Sequence, residues 1–447
     1  MEAQALARQL LARRDNGSEP DGVPAPPPTR AVARASLADH PQITAAREIR
    51  ARVQARLTDR GLPNPLFLPH TSPSGATVEL LGRQMINFSG YNYLGLSGDP
   101  RVTAAVTDAA ERYGTSASAA RAVAGEIPLY EELEHRLAGA FDVDAAVVTP
   151  SGFLTNAAVI PFLLGPNDVA VCDSLVHASI VSGTQWARCR RANFAHNDPD
   201  ALDRLLLRSR SQFERAMVIV EGVYSMDGDI ARLPELIEVA RRHDCLIMVD
   251  EAHAFGTLGE RGFGTREHFD LPGDAVDIWM GTLSKSLASC GGFLAGDEEL
   301  IWAIKMLGPG LCMFVAPPTP PQAAAAIAAF DLMVEEPQRL ARLRRASGAA
   351  LSAAKRAGWD TGSSEGTPII PIILGGDERA VVTSVGLLEA GINASAVMYP
   401  AVPEGDARIR LFMSADHTDD QIAQLMMALA ATDPESASAS AQAPGGP

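Results

Sequence analysis

The sequence predicts an α/β fold in which a large domain with a mostly parallel sheet is followed by a smaller α+β unit. Short β-branched runs, such as "AAVVT", "AMVIV" and "CLIMV", alternate with helical patterns such as "LPELIEVARRH" from about Asp142 onward. Continuous apolar strands separated by helices are typical of a parallel sheet that is covered on both faces. After a long helical stretch, "TPIIPIIL" and "ARIRLFMS" predict the strands of the smaller unit.

The order of these patterns divides the chain into five segments. They are a flexible N-terminal extension at 1–40, an N-terminal segment at 41–100, the large domain at 101–325, the small C-terminal domain at 326–432 and a disordered tail at 433–447. The extension contains the Pro-rich stretch "EPDGVPAPPPTR", whereas "QITAAREIRARVQARLTDRG" has helical periodicity and a glycine at its end. The last helix, "TDDQIAQLMMALAA", opens with Thr418 and Gln421 in the spacing of a capping box.

Composition limits the classes of function. The 447 residues include 38 basic and 54 acidic side chains, a formal charge of -16, which disfavours binding to nucleic acid or to an anionic membrane. No apolar run reaches the roughly 20 residues of a membrane span, and the N-terminus lacks the features of a signal peptide. The five cysteines show neither CxxC pairs nor zinc spacing, so we expect no metal site and a cytoplasmic location.

Polar residues follow the predicted strands at their carboxyl ends, where ligands bind in open α/β sheets. Ser151 and Gly152 come after "AAVVT" at the start of a helix, which is either an anion site or an ordinary turn. Asp250 comes after "CLIMV", with His253 three residues later. Asp250 is either a helix N-cap or the partner that a protonated pyridine nitrogen needs.

The stretch "GTLSKSLASCGG" places Lys285 just after the apolar run "DIWM". A phosphate-binding P-loop is excluded because Ser284 and Trp279 stand where that motif requires glycine. A surface lysine remains the alternative. A lysine amine in a partly dehydrated pocket is a nucleophile toward aldehydes, and the hydroxyls of Thr282 and Ser284 suit an anionic group. The anion site, the aspartate and the lysine together indicate a site for pyridoxal phosphate (PLP).

The pattern "TLSKSLASCG" resembles the lysine signature of the α-oxoamine synthases, which are class II enzymes of PLP fold type I. That family includes 8-amino-7-oxononanoate synthase, 2-amino-3-ketobutyrate CoA ligase, 5-aminolevulinate synthase and serine palmitoyltransferase. The resemblance extends from about Ile86 to Leu429. It implies a homodimer that condenses an amino acid with an acyl thioester in a decarboxylating reaction, releasing an α-amino ketone, carbon dioxide and a thiol.

The resemblance also implies roles for individual residues. Lys285 would form the Schiff base with PLP, Asp250 would pair with the ring nitrogen, and His177 of "DSLVHASIVSG" would stack on the ring. His253, and Ser225 of "VYSMDGD", would lie near the phenolic oxygen. The residues expected to bind PLP are Ser151, Gly152, Phe153, His177, Ser225, Asp250, His253, Thr282, Ser284 and Lys285.

Two further residues are expected, by the same resemblance, to bind the carboxylate of the amino acid. They are Asn92 of "NFSGYNYLGLS" and Arg410 of "YPAVPEGDARIRLFMSADHT". An arginine suits this task because its planar fork can donate two parallel hydrogen bonds to a carboxylate. We expect Arg408 to be structural.

Two stretches depart from the family pattern. Much of the family has a histidine where "EIPLYEELE" has Tyr130, which we expect near the mouth of the site. The stretch "FVAPPTPPQAAAA" lacks the usual Phe-Ser-Thr, so the hydroxyl that the family offers to the cofactor across the dimer interface is missing or moved to Thr319.

Several functional alternatives remain open on the sequence. The chain resembles stand-alone synthases of polyketide-type or lipid pathways, some of which take acyl groups from an acyl carrier protein, although the N-terminal extension is equally consistent with an inert tail. Other candidates are the 8-amino-7-oxononanoate synthase of biotin biosynthesis and an aminotransferase or amino-acid decarboxylase on the same fold. A non-catalytic subunit is disfavoured because Lys285 is present. The sequence specifies neither the amino acid nor the acyl chain.

Overall fold

The computed structural model describes residues 36–58 and 67–433, which belong to two compact units, Met1–Asn64 and Pro65–Pro447. In the first unit, a 3-10 turn at Leu37–Asp39 is followed by helix α1, Pro41–Thr58, as its sequence periodicity predicts. The remaining residues of the predicted extension, and all but the first residue of the predicted tail, lie outside the described residues.

The second unit contains all the described strands. They are β1 Thr77–Leu80, β2 Arg83–Asn87, β3 Ala145–Thr149, β4 Val169–Asp173, β5 Arg190–Phe194, β6 Ala216–Glu221, β7 Leu246–Asp250, β8 Ile278–Thr282, β9 Gly292–Gly296, β10 Ile369–Gly375, β11 Ile392–Asn393, β12 Ala396–Val397 and β13 Ala407–Phe412. The α-helices of this unit are α2 Pro100–Tyr113, α3 Pro128–Phe141, α4 Gly152–Leu163, α5 Ala178–Ala187, α6 Pro199–Ser209, α7 Leu233–Arg242, α8 Gly264–His268, α9 Glu298–Leu307, α10 Pro320–Glu335, α11 Pro337–Arg356, α12 Asp377–Glu389 and α13 Asp419–Thr432.

A seven-stranded sheet forms the centre of this unit, in the order β3-β9-β8-β7-β6-β4-β5. Strands β8, β7, β6, β4 and β5 run parallel, whereas β9 is antiparallel to both β3 and β8. The predicted mostly parallel sheet is therefore confirmed. Because the predicted strands β6, β7 and β8 are neighbours, the residues that follow them meet at one edge of the sheet.

Both faces of the central sheet are buried, as the continuous apolar runs predict. In β6, Val218 and Val220 belong to one apolar cluster, while Met217 and Ile219 belong to a second cluster on the opposite face. This alternation follows from the period of two in a strand. Helices cover both faces, which leaves the strand ends as the place where polar side chains gather.

Two smaller sheets complete the unit. Strands β10, β13 and β12 are antiparallel, and the N-terminal hairpin β1-β2 pairs through β2 with β11 from the C-terminal part. The long helical stretch consists of α10 and α11, which are separated at Glu336 before a proline. The domain limits proposed from the sequence remain predictions, and the limit at 325/326 falls inside α10.

Two predicted local features can be compared with the structure. The capping box at Thr418 and Gln421 opens α13, with each side chain bonded to the other residue's backbone. Within the described residues, no helix combines the length and the apolar character needed to cross a membrane.

Candidate active site

A cavity of about 410 Å³ lies at the carboxyl ends of β6, β7 and β8. Its lining includes every residue that the sequence analysis assigned to the site except Asn92. The lining residues are Tyr91, Ser151, Gly152, Phe153, Asn156, His177, Ser179, Glu221, Ser225, Met226, Asp250, Ala252, His253, Met280, Thr282, Ser284, Lys285 and Arg410.

Asp250 ends β7 and is held by two donors. Its Oδ1 accepts from the backbone N–H of Ala252 at 2.9 Å, and its Oδ2 accepts from Nδ2 of Asn156 at 2.7 Å. Asn156 comes from α4, across the edge of the sheet, and was not predicted from the sequence. These two bonds fix a carboxylate that is 4% exposed at the floor of the cavity. Such a fixed carboxylate can hold a cationic ring nitrogen.

His177 is the N-cap of α5 and lines the cavity. Its Nδ1 accepts from the backbone N–H of Ser179 at 3.3 Å and lies 2.7 Å from the Ser179 hydroxyl. Because Nδ1 is an acceptor, the neutral ring carries its proton on Nε2. Burial lowers the pKa of His177. The Ser179 hydroxyl also accepts from Asn156 at 3.0 Å, so a chain of hydrogen bonds connects His177 to Asp250.

Lys285 follows β8, and its amine is enclosed by the cavity. Burial lowers its pKa to about 8, although the negative charge of Asp250 opposes this shift. Its Nζ lies 5.9 Å from the centre of the Tyr91 ring. A lysine with this pKa has a substantial neutral fraction near pH 8, which is the form that attacks an aldehyde.

His253 is held by an aromatic residue that the sequence analysis did not single out. Its Nδ1 lies 2.8 Å from the hydroxyl of Tyr93, and its ring is parallel to that of Phe412 with centroids 6.4 Å apart. Burial lowers the pKa of His253 well below its usual value, so the ring is neutral at physiological pH. Tyr93 lies within "NFSGYNYLGLS", the stretch already quoted for Asn92.

The start of α4 and the end of β8 form the side of the cavity suited to an anion. Ser151 is the N-cap of α4, and its hydroxyl accepts from the N–H of Leu154 at 3.2 Å. A Cβ on Gly152 would lie 3.0 Å from Oγ1 of Thr282, so a larger residue would require Thr282 to shift by a few tenths of an ångström. The hydroxyls of Thr282 and Ser284 are 2.7 Å apart. Hydroxyls beside the free N–H groups of a helix start are suited to phosphate.

Arg410 enters the cavity from β13 in one of the smaller sheets. Its Nη1 donates to the backbone carbonyl of Ser225 at 3.1 Å, and the guanidinium lies 4.5 Å from the centre of the Phe412 ring. Its buried Nε has no hydrogen-bond partner, and no carboxylate within residues 36–58 and 67–433 forms a salt bridge with it. By contrast, Arg408 pairs with Asp227 at 2.7 Å, as expected of a structural arginine.

Glu221 ends β6 and also lines the cavity, which the sequence analysis did not predict. It is 2% exposed, its Oε2 accepts a long bond of 3.3 Å from the N–H of Ser225, and its Oε1 has no partner in the part of the chain that the structure describes. The stretch "VYSMDGD" directly after Glu221 and Gly222 was assigned to the site through Ser225, but Glu221 itself was not. The register of the sheet is what brings Glu221 beside Asp250.

The comparisons agree with this geometry. A family model described as aminotransferase class I and II matches residues 83–429. The chain is 39% identical to the 8-amino-7-oxononanoate synthase of Symbiobacterium thermophilum over 84% of this chain and 94% of that protein. It is 36% identical to the serine palmitoyltransferase of Sphingobacterium spiritivorum, over 80% of this chain and 88% of that protein. The chain belongs to the α-oxoamine synthase family.

A solved structure supports the same assignment. A serine palmitoyltransferase from S. paucimobilis, with a bound PLP–myriocin aldimine, has a TM-score of 0.84 and 28% identity over 90% of this chain and all of that chain. The family, the fold type and PLP as the cofactor of the family are therefore confirmed. The roles of the individual site residues remain predictions.

The cavity of this α-oxoamine synthase suits PLP in its chemistry. The amine of Lys285 can bind the aldehyde, Asp250 can bind the ring nitrogen, and the start of α4 can bind the phosphate. Three lining residues each have a buried polar atom without a partner within residues 36–58 and 67–433, namely Oδ1 of Asn156, Oε1 of Glu221 and Nε of Arg410. Unpaired buried groups are costly, which indicates that a polar ligand satisfies them.

Asn92 is not brought into the cavity. Its Nδ2 donates to the carbonyls of Ser74 and Ser97 at 3.0 and 3.3 Å, and its Oδ1 accepts from the N–H of Ser97 at 3.0 Å. The adjacent Tyr91 lines the cavity instead. The contact of Asn92 with the substrate carboxylate therefore remains a prediction. Its hydrogen bonds to Ser74 and Ser97 assign Asn92 a role in shaping the loop.

The expected position of Tyr130 near the mouth of the site is wrong. Tyr130 is fully buried, and its hydroxyl donates to the carbonyl of Pro318 at 2.6 Å. Pro318 belongs to "FVAPPTPP", so the two departures from the family pattern contact each other. The hydroxyl of Thr319 caps α10 in a capping box with Gln322. In this chain, Tyr130 packs the core under that loop, because a phenol satisfies a backbone carbonyl while filling apolar space.

Proposed function

We propose that the chain catalyses a PLP-dependent, decarboxylating condensation of an amino acid with an acyl thioester. The products are an α-amino ketone, carbon dioxide and the free thiol. The observation that supports this reaction most directly is that Lys285, Asp250 and Arg410 converge on one cavity, from β8, β7 and β13. The family membership supports an acyltransferase over other reactions of the same fold.

PLP, when bound, supplies an electron sink that stabilises a negative charge at the α-carbon of the amino acid. The chain's own residues would do the rest. Arg410 would bind the substrate carboxylate with its unpaired Nε, and Asp250 would hold the proton at the ring nitrogen. Lys285, once released from the aldehyde, would remove the α-proton, since its lowered pKa makes it a base near neutral pH.

The neutral imidazoles of His177 and His253 would contribute directed hydrogen bonds instead of charge. His177 has its Nδ1 occupied by Ser179, so the N–H at Nε2 is its available donor. His253 is fixed by Tyr93 on one side of its ring. Because both pKa values are lowered by burial, neither ring adds a positive charge that would compete with the protonated ring nitrogen.

The site residues do not select among acyl donors, and the relatives suggest two substrate pairs. The name 8-amino-7-oxononanoate implies an alanine unit joined to a seven-carbon acyl chain that ends in a carboxylate, while serine palmitoyltransferase names serine and a palmitoyl group. We propose a synthase of a polyketide-type or lipid pathway that uses acyl-CoA or an acyl carrier protein. The 8-amino-7-oxononanoate synthase reaction is the second candidate, supported by relatives at 38–39% identity.

The proposal extends to assembly and location. Large aromatic side chains that are exposed in the single chain, Trp186 at 57%, Trp302 at 59% and Phe314 at 73%, support a homodimer that covers them. Five cysteines without a disulfide support a reducing compartment, the cytoplasm. Sedimentation of the holoenzyme would show twice the chain mass of 47.2 kDa, and a monomer would contradict the dimer.

The reaction is tested by release of labelled carbon dioxide from carboxyl-labelled glycine, alanine and serine. Each amino acid is supplied with and without a panel of acyl-CoA and acyl-carrier thioesters, including long-chain and carboxylate-ended acyl groups. We expect release that requires both substrates and disappears in Lys285→Ala. Transfer of the amino group to an added oxo acid, without release, would instead identify an aminotransferase.

A further inference from the structure

Three consecutive strands of the central sheet present a row of side chains at the floor of the cavity. The register aligns Glu221 of β6 with Asp250 of β7, and Asp250 with Met280 of β8. Residues that are partners across parallel strands project to the same face of the sheet, with their Cβ atoms about 5 Å apart. Two carboxyl groups are therefore neighbours at the place where the ring nitrogen of PLP would bind.

The two carboxyl groups differ in how their oxygens are satisfied. Both oxygens of Asp250 accept short hydrogen bonds, from Asn156 and from the N–H of Ala252. Glu221 accepts one long bond from Ser225, and its other oxygen has no partner among the described residues. No lysine, arginine or histidine within residues 36–58 and 67–433 forms a salt bridge with Glu221. The surroundings therefore stabilise a negative charge on Asp250 and not on Glu221.

We propose that Glu221 is a positioning residue whose carboxyl group stays undissociated, so that Asp250 bears the single negative charge of this pair. Oε2 would accept from Ser225, and Oε1 would carry the proton and donate a hydrogen bond into the cavity. This inference rests on the proposed function, in which Asp250 is the partner of the ring nitrogen. Asp250 would then be a carboxylate with no second negative charge beside it, and Glu221 would orient the bound ligand through the hydrogen bond of Oε1.

The charges around Glu221 agree with an undissociated group. Its ionisable neighbours are Asp250 on β7, Lys285 after β8, Tyr224 in its own loop, and His177 and Arg410 across the cavity. Burial raises the pKa of Glu221 well above its usual value, and the charge of Asp250 raises it further, while Lys285 and the backbone N–H groups of His177 and Ser225 oppose both effects. Two adjacent carboxyl groups share one proton when no cation pairs with the second.

A neighbouring glutamate provides a matched control. Glu251 is also fully buried, but its carboxyl group accepts hydrogen bonds from the backbone and the hydroxyl of Thr265, away from the cavity lining. Burial raises its pKa to about 7, while the bonds from Thr265 oppose that shift. Above that pH, Glu251 is ionised, whereas the proposal requires Glu221 to remain undissociated.

Infrared difference spectroscopy of the holoenzyme at about pH 8 measures the protonation of Glu221 directly. We expect the spectrum of the wild type minus Glu221→Gln to contain the carbonyl stretch of an undissociated carboxylic acid. The corresponding spectrum for Glu251→Gln should contain mainly carboxylate bands. Absence of the acid band in the Glu221→Gln difference would overturn the proposal, whether or not the protein releases carbon dioxide.

Cofactor binding and the titration of Lys285 provide independent measurements. Glutamine preserves both the acceptor and the donor of an undissociated glutamate, so Glu221→Gln should bind PLP within about twofold of the wild type. Glu221→Leu removes both groups and should weaken PLP binding about tenfold, the effect of one lost hydrogen bond. Equal binding by Glu221→Leu would show that the hydrogen bonds are dispensable, and would overturn the proposal.

The pH dependence of PLP absorbance distinguishes a neutral Glu221 from an ionised one. If Glu221 is undissociated, the glutamine variant loses no charge, and the titration midpoint that involves Lys285 stays within about 0.3 pH units of the wild type. If Glu221 is ionised, its loss would lower that midpoint by about one unit, because a nearby negative charge raises the pKa of an amine. This measurement remains decisive even if Glu221→Leu does not fold.

Discussion

Two buried glutamates of the same unit differ in their surroundings, and the difference separates scaffold from site. Glu134 on α3 pairs with Arg121 and with Lys305 at 2.7 Å, and it also accepts from the N–H of Val148 at 2.9 Å. Glu221, at the end of β6, forms no salt bridge within the described ranges 36–58 and 67–433, and its Oε1 has no donor there. A buried charge that is fully paired holds elements together, whereas a buried polar group left incomplete marks the place of a ligand.

The two lysines near these glutamates show the same contrast. Lys305 reaches Glu134 from α9, and its side chain is 28% exposed. Lys285 is enclosed, its pKa is lowered to about 8 by burial, and no carboxylate within residues 36–58 and 67–433 forms a salt bridge with it. The pair with Glu134 gives Lys305 a structural role, whereas a desolvated lysine is suited to act as a nucleophile and a base.

The largest expected effect comes from replacing each of these two lysines by alanine. Lys285→Ala should lower the rate of carbon dioxide release by about a thousandfold or more, the typical contribution of a positioned base and nucleophile. Lys305→Ala should retain activity and lose about 1 kcal/mol of stability, as expected for a partly exposed ion pair. Steady-state rates and urea denaturation of both variants would measure this. Full activity in Lys285→Ala would contradict the proposed site.

The second prediction concerns the buried ion pairs of Glu134 with Arg121 and Lys305. Arg121→Met removes the main cation of Glu134, in a pair whose side chains are 5% and 6% exposed, and should cost about 3 kcal/mol of unfolding free energy. Arg121→Met combined with Glu134→Met should recover much of that loss, because no unpaired charge remains buried. Urea denaturation of the four proteins gives the cycle. If Arg121→Met were as stable as the wild type, Lys305 alone would suffice to compensate the buried charge of Glu134.

The strands that border the site were predictable because their apolar runs are continuous and their ends carry unusual polar residues. Asp250 and Lys285 were found in this way, at the ends of β7 and β8. Strand β9, "GFLAG", was missed since glycine at both ends gives it a weak strand pattern. A buried antiparallel partner on each side forms it instead.

The residues missed in the site depend on tertiary contacts. Asn156 lies on α4 and Tyr93 in the N-terminal loop, and each binds a residue about 90 or more positions away in the sequence. Glu221 was visible as the first letter of "EGVYSMDGD", but its proximity to Asp250 follows only from strand order. Tyr130 was misplaced because a tyrosine where the family has histidine gives no indication of the Pro318 carbonyl that binds it.

The third prediction compares the two arginines of β13. Arg410→Lys replaces a fork with a point charge and should raise KM for the amino acid about tenfold, the value of one charge-assisted hydrogen bond. Arg408→Lys should leave KM unchanged and weaken the pair with Asp227, which lowers stability. Initial rates over a range of amino-acid concentrations distinguish the two. An equal rise of KM in both variants would mean that Arg410 acts only through the loop of Ser225.

The smallest expected effect concerns His196, which contacts the loop that carries Ser225. His196 lies between Asp173 at 2.9 Å and Asp229 at 3.0 Å, with Tyr224 packed edge-on against its ring. Burial alone lowers the pKa of His196, but the hydrogen bonds of the two aspartates outweigh it and raise the pKa to about 10. The imidazolium therefore joins the end of β4 to the loop that carries Ser225.

The pKa of His196 rises from 6.5 in the unfolded chain to about 10 in the folded protein, and this shift fixes how its contribution to the free energy of unfolding changes with pH. The stabilisation by protonated His196 is fully present below pH 6.5 and is lost as the pH rises through 10. The stability difference between the wild type and His196→Asn should therefore be about 1 kcal/mol smaller at about pH 8 than at about pH 7. Urea denaturation at both pH values measures it. A difference that does not change with pH would mean that His196 is neutral, and that hydrogen bonds without charge hold the loop.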